Sequence, residues 1–438
     1  MKKTLVMFFL GIFSTSLYAS TTQCGANGCI ITVDWALDNV PDNVHHTCNY
    51  TQGAATFFES SDGKCTFRRA LREAGARSDS SFCPGCSPVL IRFTGLNGTN
   101  NDADDVQYNA TTGQWILPLD DSSTSSFFGL EPQSITDVSG PVVIRGLSPV
   151  NVLNGQMPKI MIDTGKTMEI ELNQVTIERM GFMGGMSIHW KESDGVFQNN
   201  TWGLSADGMS IEFGDLVGNT DNLAGSNGIL TTNKGDNMTV DGNVISGAST
   251  FAVEINSATS GVQIINNLIG TRIDGTVPNV PANLNCRTFT NINPVDPPID
   301  SQEWFGGAGI SASGTGLLIE NNVIAGMQTI HSTNSTPPEA LTIFGRLHTV
   351  QNNIIGKDLG GTEVGVCGQG IKLSTQRDSP IEVNNGHMIL DNEIYSPKNG
   401  FDNTKGAILW SDSHVNGFKD GGNTIRGNIV KNGIEKYI

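Results

Sequence analysis

The sequence predicts an all-β chain, a right-handed three-sheet parallel β-helix solenoid, on two observations: a unit that recurs seven times and a second strand motif ahead of most copies of it. The unit is an apolar residue, an Asn three positions on and another apolar residue two further. It reads Phe197/Asn200/Trp202, Val240/Asn243/Ile245, Ile264/Asn267/Ile269, Ile319/Asn322/Ile324, Val350/Asn353/Ile355, Ile389/Asn392/Ile394 and Ile425/Asn428/Val430. A fixed unit implies a solenoid, because each repeat buries its apolar face only against the next. The shortest spacings, about twenty residues, are too short for helical pairs and suit one coil of a β-helix. Each Asn is expected at a bend between two short strands, where its side chain bonds local backbone. Stacked coils would align these Asn residues as an internal ladder.

The second motif is Gly or a small residue followed by alternating residues: Met186-Ser-Ile-His189, Gly208-Met-Ser-Ile-Glu-Phe213, Gly228-Ile-Leu-Thr231, Ala252-Val-Glu-Ile255, Gly309-Ile-Ser-Ala312, Leu341-Thr-Ile343, Gly370-Ile-Lys-Leu373 and Gly406-Ala-Ile-Leu409. One strand here and two flanking the Asn bend give three parallel sheets per coil. Earlier strand signals fall at Val89-Leu-Ile-Arg-Phe93 and Val142-Val-Ile-Arg-Gly146.

Residues 1–19, with Lys2, Lys3, an apolar run from Leu5 to Phe13 and a small residue at Ala19, have the pattern of a secretory signal peptide. This places the mature protein outside the cell or at its surface. No later segment is apolar enough to span a bilayer. The formal net charge is −17; removal of the two signal-segment lysines leaves 24 − 43 = −19. A field of that sign disfavours nucleic acid and anionic membrane as partners.

Residues 20–88 form a cysteine-rich cap, holding Cys24, Cys29, Cys48, Cys65, Cys83 and Cys86 and lacking the Asn repeat. In an exported chain these, with Cys286 and Cys367, are disulfide candidates whose connectivity stays open. The stretch from Cys65 to Arg77 spaces Phe67, Ala70, Leu71 and Ala74 on one face of a helix with charges opposite, suited to covering the end of a solenoid. The β-helix occupies 89–438, interrupted by a Pro- and Asn-rich insertion at 271–305. It closes on Gly433-Ile-Glu-Lys-Tyr-Ile438 without a capping helix, read as an edge open to pairing with another chain or as a truncated end.

Two stretches carry a family resemblance. Cys65-Thr-Phe-Arg-Arg-Ala-Leu-Arg-Glu-Ala74 resembles the Cys-Ser-Leu-Arg-Glu-Ala-Ile signature of exported bacterial right-handed parallel β-helix proteins. Asn267-Leu-Ile-Gly-Thr-Arg-Ile-Asp-Gly-Thr276 and Asn353-Ile-Ile-Gly-Lys-Asp-Leu-Gly-Gly-Thr362 are similar to turns of the same proteins. The resemblance implies the pectin-lyase-like superfold, which hosts lyases, hydrolases, epimerases, tailspikes and adhesins, so it leaves the chemistry open.

The resemblance maps a ligand groove onto the outer face of the Gly-initiated strands. Alternation there buries Ile188, Ile211, Val253 and Ile371 and turns His189, Glu212, Glu254 and Lys372 outward. Glu212 and Glu254, expected with one intervening coil between them, would sit about 9 to 10 Å apart along the backbone and serve as acid and base of a hydrolase. His189 or Lys191 would instead take a proton from a uronate carbon in a lyase or epimerase. Trp190, Trp304 and Trp410 are candidates to stack on sugar rings. The bland alternative is a solvated sheet surface. No calcium repeat, nucleotide loop or zinc pattern occurs, so no metal or cofactor is expected. Three functions remain: recognition of extracellular glycans or surfaces, polysaccharide degradation or modification, and a structural spacer.

Overall fold

The structure, a computed structural model, describes residues 23–25, 28–34, 65–78, 87–94, 108–118, 127–130, 141–147, 151–163, 167–183, 187–210, 229–231, 235–248, 251–277, 288–289, 308–326, 330–331, 339–366, 369–374, 386–395, 408–411 and 422–431. The signal segment, Cys48, Cys83, Cys86, Cys286, Cys367, Glu212 and Trp304 lie outside them.

Three long sheets wind around one core. The sheet entering the Asn bends has 12 strands, the sheet leaving them has 11, and the third has 9 among the described residues. Pairing between successive coils is parallel throughout, as in Phe197 to Val240 to Ile264 to Ile319 to Val350 to Ile389 to Ile425. Antiparallel pairs occur at Gln23–Gly25 with Gly28–Val33, where Cys24 faces Cys29, and at Tyr108–Asn109 with Gln114–Pro118. Crossovers between parallel strands of one sheet are right-handed. The architecture is therefore the three-sheet parallel β-helix that the repeats require.

The Asn residues form the expected ladder. Asn243, Asn267, Asn322, Asn353 and Asn392 are fully or almost fully buried. Each backbone N–H donates to Oδ1 of the Asn in the next coil, from Asn200 to Asn243 (2.9 Å) through Asn392 to Asn428 (3.0 Å). From Asn243 onward Nδ2 donates one proton to the same oxygen and the other to a carbonyl of the preceding coil, as Asn322 does to Ile264 at 2.8 Å. The buried amide is thus fully satisfied. The bend also needs a left-handed residue just before the ladder Asn. Asn199, Asn266, Asn321, Asn352 and Asp391 hold φ between 53° and 56° there, and Gly242 and Gly427 take their place in two coils. Short polar side chains and glycine tolerate that conformation best.

The helix spans Phe67–Ser78, with Thr66 Oγ1 accepting from Arg69 N–H at 3.3 Å as its cap. Phe67, Ala70, Leu71 and Ala74 are buried against the first strands of the solenoid. The charged side is not the solvated face expected of it, since Arg68, Arg69 and Glu73 are buried too. Cys29 and Cys65 are buried, and no described cysteine is a free thiol.

Outside the main core lies a second apolar layer. Val244, Leu268 and Val323 face away from the coil interior on the exit sheet and are buried beside Leu204, Ile273 and Val277. Loops at 203–210, 271–277 and 357–366 supply this cover and stack on one another: Ile273 N–H donates to Gly208 O (3.0 Å) and Leu359 N–H to Gly275 O (3.1 Å). The Asn267–Thr276 and Asn353–Thr362 turns are thus lids over that sheet. In the entry sheet, outward polar residues pair along the stack, as Gln198 with Glu178 at 2.8 Å and Gln351 with Glu320 at 2.6 Å.

A second ladder occupies the turn into the entry sheet. Met238, Val262 and Leu317 fill that position in successive coils, followed by His348, His387 and Asn423. Leu317 N–H donates to His348 Nδ1, His348 N–H to His387 Nδ1 and His387 N–H to Asn423 Oδ1, at 3.1, 3.2 and 2.7 Å. The rings stack 5.0 Å apart. Both Nδ1 atoms are acceptors and must be unprotonated.

Two predictions follow from the ladders. Replacing Asn322 by Leu strands the Asn267 donors and the Ile264 carbonyl, so stability measured by chemical denaturation should fall by on the order of 3 kcal/mol; an unchanged midpoint would mean the ladder carries nothing. Burial pushes both His348 and His387 down to about 4, with the His387 ring adding to the effect at His348. Their folded values lie below the unfolded 6.5, so their contribution is complete above pH 6.5 and is lost as pH falls from 6.5 to 4. The double replacement His348→Asn and His387→Asn keeps an acceptor at each step, as Asn423 does. Thermal midpoints should then diverge in that window, wild type falling more steeply, and parallel curves would remove the imidazoles from the account.

Candidate functional site

Backbone pairing in the third sheet aligns Glu169, His189, Leu230, Glu254, Ser311, Thr342 and Lys372, one per strand. Their chain neighbours Ile188, Trp190, Val253, Ile255, Ile310, Leu341, Ile343, Ile371 and Leu373 are buried in the main core, so by alternation the described side chains of the column point outward. They are nevertheless recessed. Ser311 and Thr342 are buried, and the side chains of Glu169, His189 and Lys372 are only 17%, 25% and 21% exposed.

Charges on this face are tied to one another. Lys191 Nζ lies 2.8 Å from Glu169 Oε2 and 2.7 Å from Glu171 Oε1, while His189 Nδ1 is 3.9 Å from Glu169 Oε1. Lys372 Nζ pairs with Glu339 Oε1 at 2.8 Å. Burial pulls on the Lys191 ammonium, but hydrogen bonds and charge from Glu169 and Glu171 outweigh it and hold the pKa above the ordinary lysine value. Lys191 is therefore a fixed cation and a poor base. Burial lowers the pKa of His189, Glu169 opposing this and Lys191 reinforcing it, so the ring is neutral at neutral pH. Burial raises the pKa of Glu254. The column thus places a free imidazole and a carboxyl that keeps its proton unusually well two strands apart, about 9 to 10 Å along the backbone. Thr342 Oγ1 is buried and makes no hydrogen bond among the described residues.

Several sequence expectations change. The strand Ser187–Trp190 pairs directly with Ile229–Thr231, so no third-sheet strand comes between them, contrary to the sequence expectation, and Glu212 lies outside the described residues. Gly208-Met-Ser210, expected to begin that strand, is instead part of a turn: Gly208 is left-handed at φ 73°, and Ser205 N–H and Ser210 O bond across it at 2.9 Å. Of the expected Glu212/Glu254 pair only Glu254 is among the described residues, and His189 lies two strands from it. Trp190 points inward and is fully buried, its indole filling the space a side chain at Gly195 would need, so it presents no face to a sugar. Trp410 shares the register of Leu373, and its side chain lies outside the described residues.

Sequence reasoning missed Glu169, Glu171, Ser311, Thr342 and Glu339. Thr167-Met-Glu-Ile170 alternates as the later strands do but lacks the small residue that flagged them. Reading alternation alone would have found Glu169.

No protein-family model matches the chain, and no curated relative does. Solved structures similar to it include an alginate lyase from Paenibacillus sp. str. FPU-7 (12% identity, 79% of this chain and 88% of that one, TM-score 0.28). Another is the Streptococcus pneumoniae surface protein and adhesin PfbA (12% identity, 80% and 84%, TM-score 0.27). A third is the PL6 family polysaccharide lyase Pedsa3628 from Pseudopedobacter saltans (11% identity, 78% and 88%, TM-score 0.24). By its own topology the chain is a parallel β-helix protein.

Proposed function

We propose that the chain is a secreted or surface-associated β-helix protein whose third-sheet recess recognises an extracellular glycan. The observation that carries this reading is the column itself, a row at strand spacing that is polar at every step but Leu230, with a buried hydroxyl at Thr342 that has no partner among the described residues. A row that repeats at about 4.8 Å offers polar partners at close to the repeat of a sugar chain. In this reading residues 1–19 direct export and disulfides pin the cap of 20–88, while the start of the insertion at 271–305 covers the exit sheet and its remainder would wall one side of the recess.

A second reading, glycan turnover, draws on one observation, the opposite pKa displacements of Glu254 and His189. Glu254 would deliver a proton to a leaving oxygen and His189 would accept one, with Lys191 and Lys372 supplying fixed positive charge. Such paired displacements are what general acid and base catalysis requires.

Calorimetric titration with an oligosaccharide panel tests the first reading. Thr342→Val, which keeps shape and removes an unpaired hydroxyl, should leave the thermal midpoint unchanged or raised and weaken binding about tenfold. Glu254→Gln should weaken binding similarly while preserving the fold. If neither variant alters any titration, the column is only sheet surface. New reducing ends or unsaturated products made by wild type and lost in His189→Gln and Glu254→Gln would select turnover.

A further inference from the structure

The geometry points to a neutral, hydroxyl-rich glycan chain, not a polyuronate, as the occupant of the recess, an inference that rests on the glycan-binding reading above. Every described cation on this face is already neutralised. Lys191 is clamped between Glu169 and Glu171, and Lys372 is held by Glu339. Three carboxylates thus surround two ammonium groups, and the neutral ring of His189 adds no charge. A uronate chain carries a carboxylate on every ring. To enter it would shed its hydration beside these acids or compete for a lysine that two carboxylates hold.

Like charges brought together across a binding face cost affinity and exclude partners. Two groups of the column suit uncharged hydroxyls: Thr342 Oγ1, which has no hydrogen-bond partner among the described residues, and Ser311 beside it. They offer a sugar hydroxyl both partners it needs.

The test uses the full chain titrated at about 20 mM and about 150 mM salt with gluco-, manno- and xylo-hexaose and with hexagalacturonate. At least one neutral hexaose should bind with little salt dependence. Hexagalacturonate should bind about tenfold or more weaker at low salt, the gap narrowing as salt screens the repulsion. The double replacement Glu169→Gln and Glu171→Gln frees Lys191 and should raise hexagalacturonate affinity about threefold or more without improving the neutral ligands. Tighter binding of hexagalacturonate than of every neutral hexaose in wild type would overturn the inference and leave the glycan reading standing. Absence of binding to all four ligands would overturn the glycan reading and the inference with it.

Discussion

The side-chain amide of each ladder Asn meets the coil before and the coil after with nearly every hydrogen-bonding position it has. That interaction holds the register of every sheet. A strand slipped by one residue exchanges its faces, so the core would receive the polar column and solvent the Ile and Val rows. Apolar contacts alone resist a two-residue slip, which keeps the faces, only weakly, because Ile over Val packs about as well as Ile over Ile. A buried amide with one acceptor at the correct height does not tolerate it. The left-handed residue ahead of each ladder Asn completes the device by turning the chain from one sheet to the next.

Register then decides which outer face is available. On the exit sheet, stacked loops seal Val244, Leu268 and Val323 beneath a second apolar layer. On the entry sheet, Gln198 with Glu178 and Gln351 with Glu320 satisfy one another across coils. On the third sheet no described loop layer or cross-coil amide pair of that kind occupies the column. Its outward groups are largely buried, His189 and Glu254 are displaced by burial, and Thr342 Oγ1 has no partner among the described residues. A polar atom buried without a partner costs stability, and a site that later supplies the partner recovers that cost on binding.

The fold was legible because its signal is local and periodic. The Asn positions, the apolar residues around them and the Gly-initiated strands each occupy a fixed place in the coil, and the observed pairing follows them from Phe197 to Ile425. The column was legible only in part. Alternation correctly turned His189, Glu254 and Lys372 outward, yet Gly208-Met-Ser210, read as opening another strand, lies in a turn, and His189 pairs directly with Leu230 with no strand between them. The bonds of Ser205 and Asp207 across that turn are particular to their geometry, and no period announces them. The clamp on Lys191 was equally hidden, because Glu169 and Glu171 become its neighbours only once coils are stacked. The histidine pair shows the same limit: an apolar position in three coils becomes imidazole in two, with a role set by the backbone donor beneath it.

The column's role as the floor of a glycan site is tested most directly by a crystal structure of the full chain with a bound neutral hexasaccharide. The account predicts sugar rings running across the strands of the third sheet, with hydroxyl oxygens within hydrogen-bonding distance of Thr342 Oγ1 and the Glu254 carboxyl. A hexasaccharide seated on the entry sheet or against the loops of the exit sheet, with the third-sheet recess empty, would contradict it.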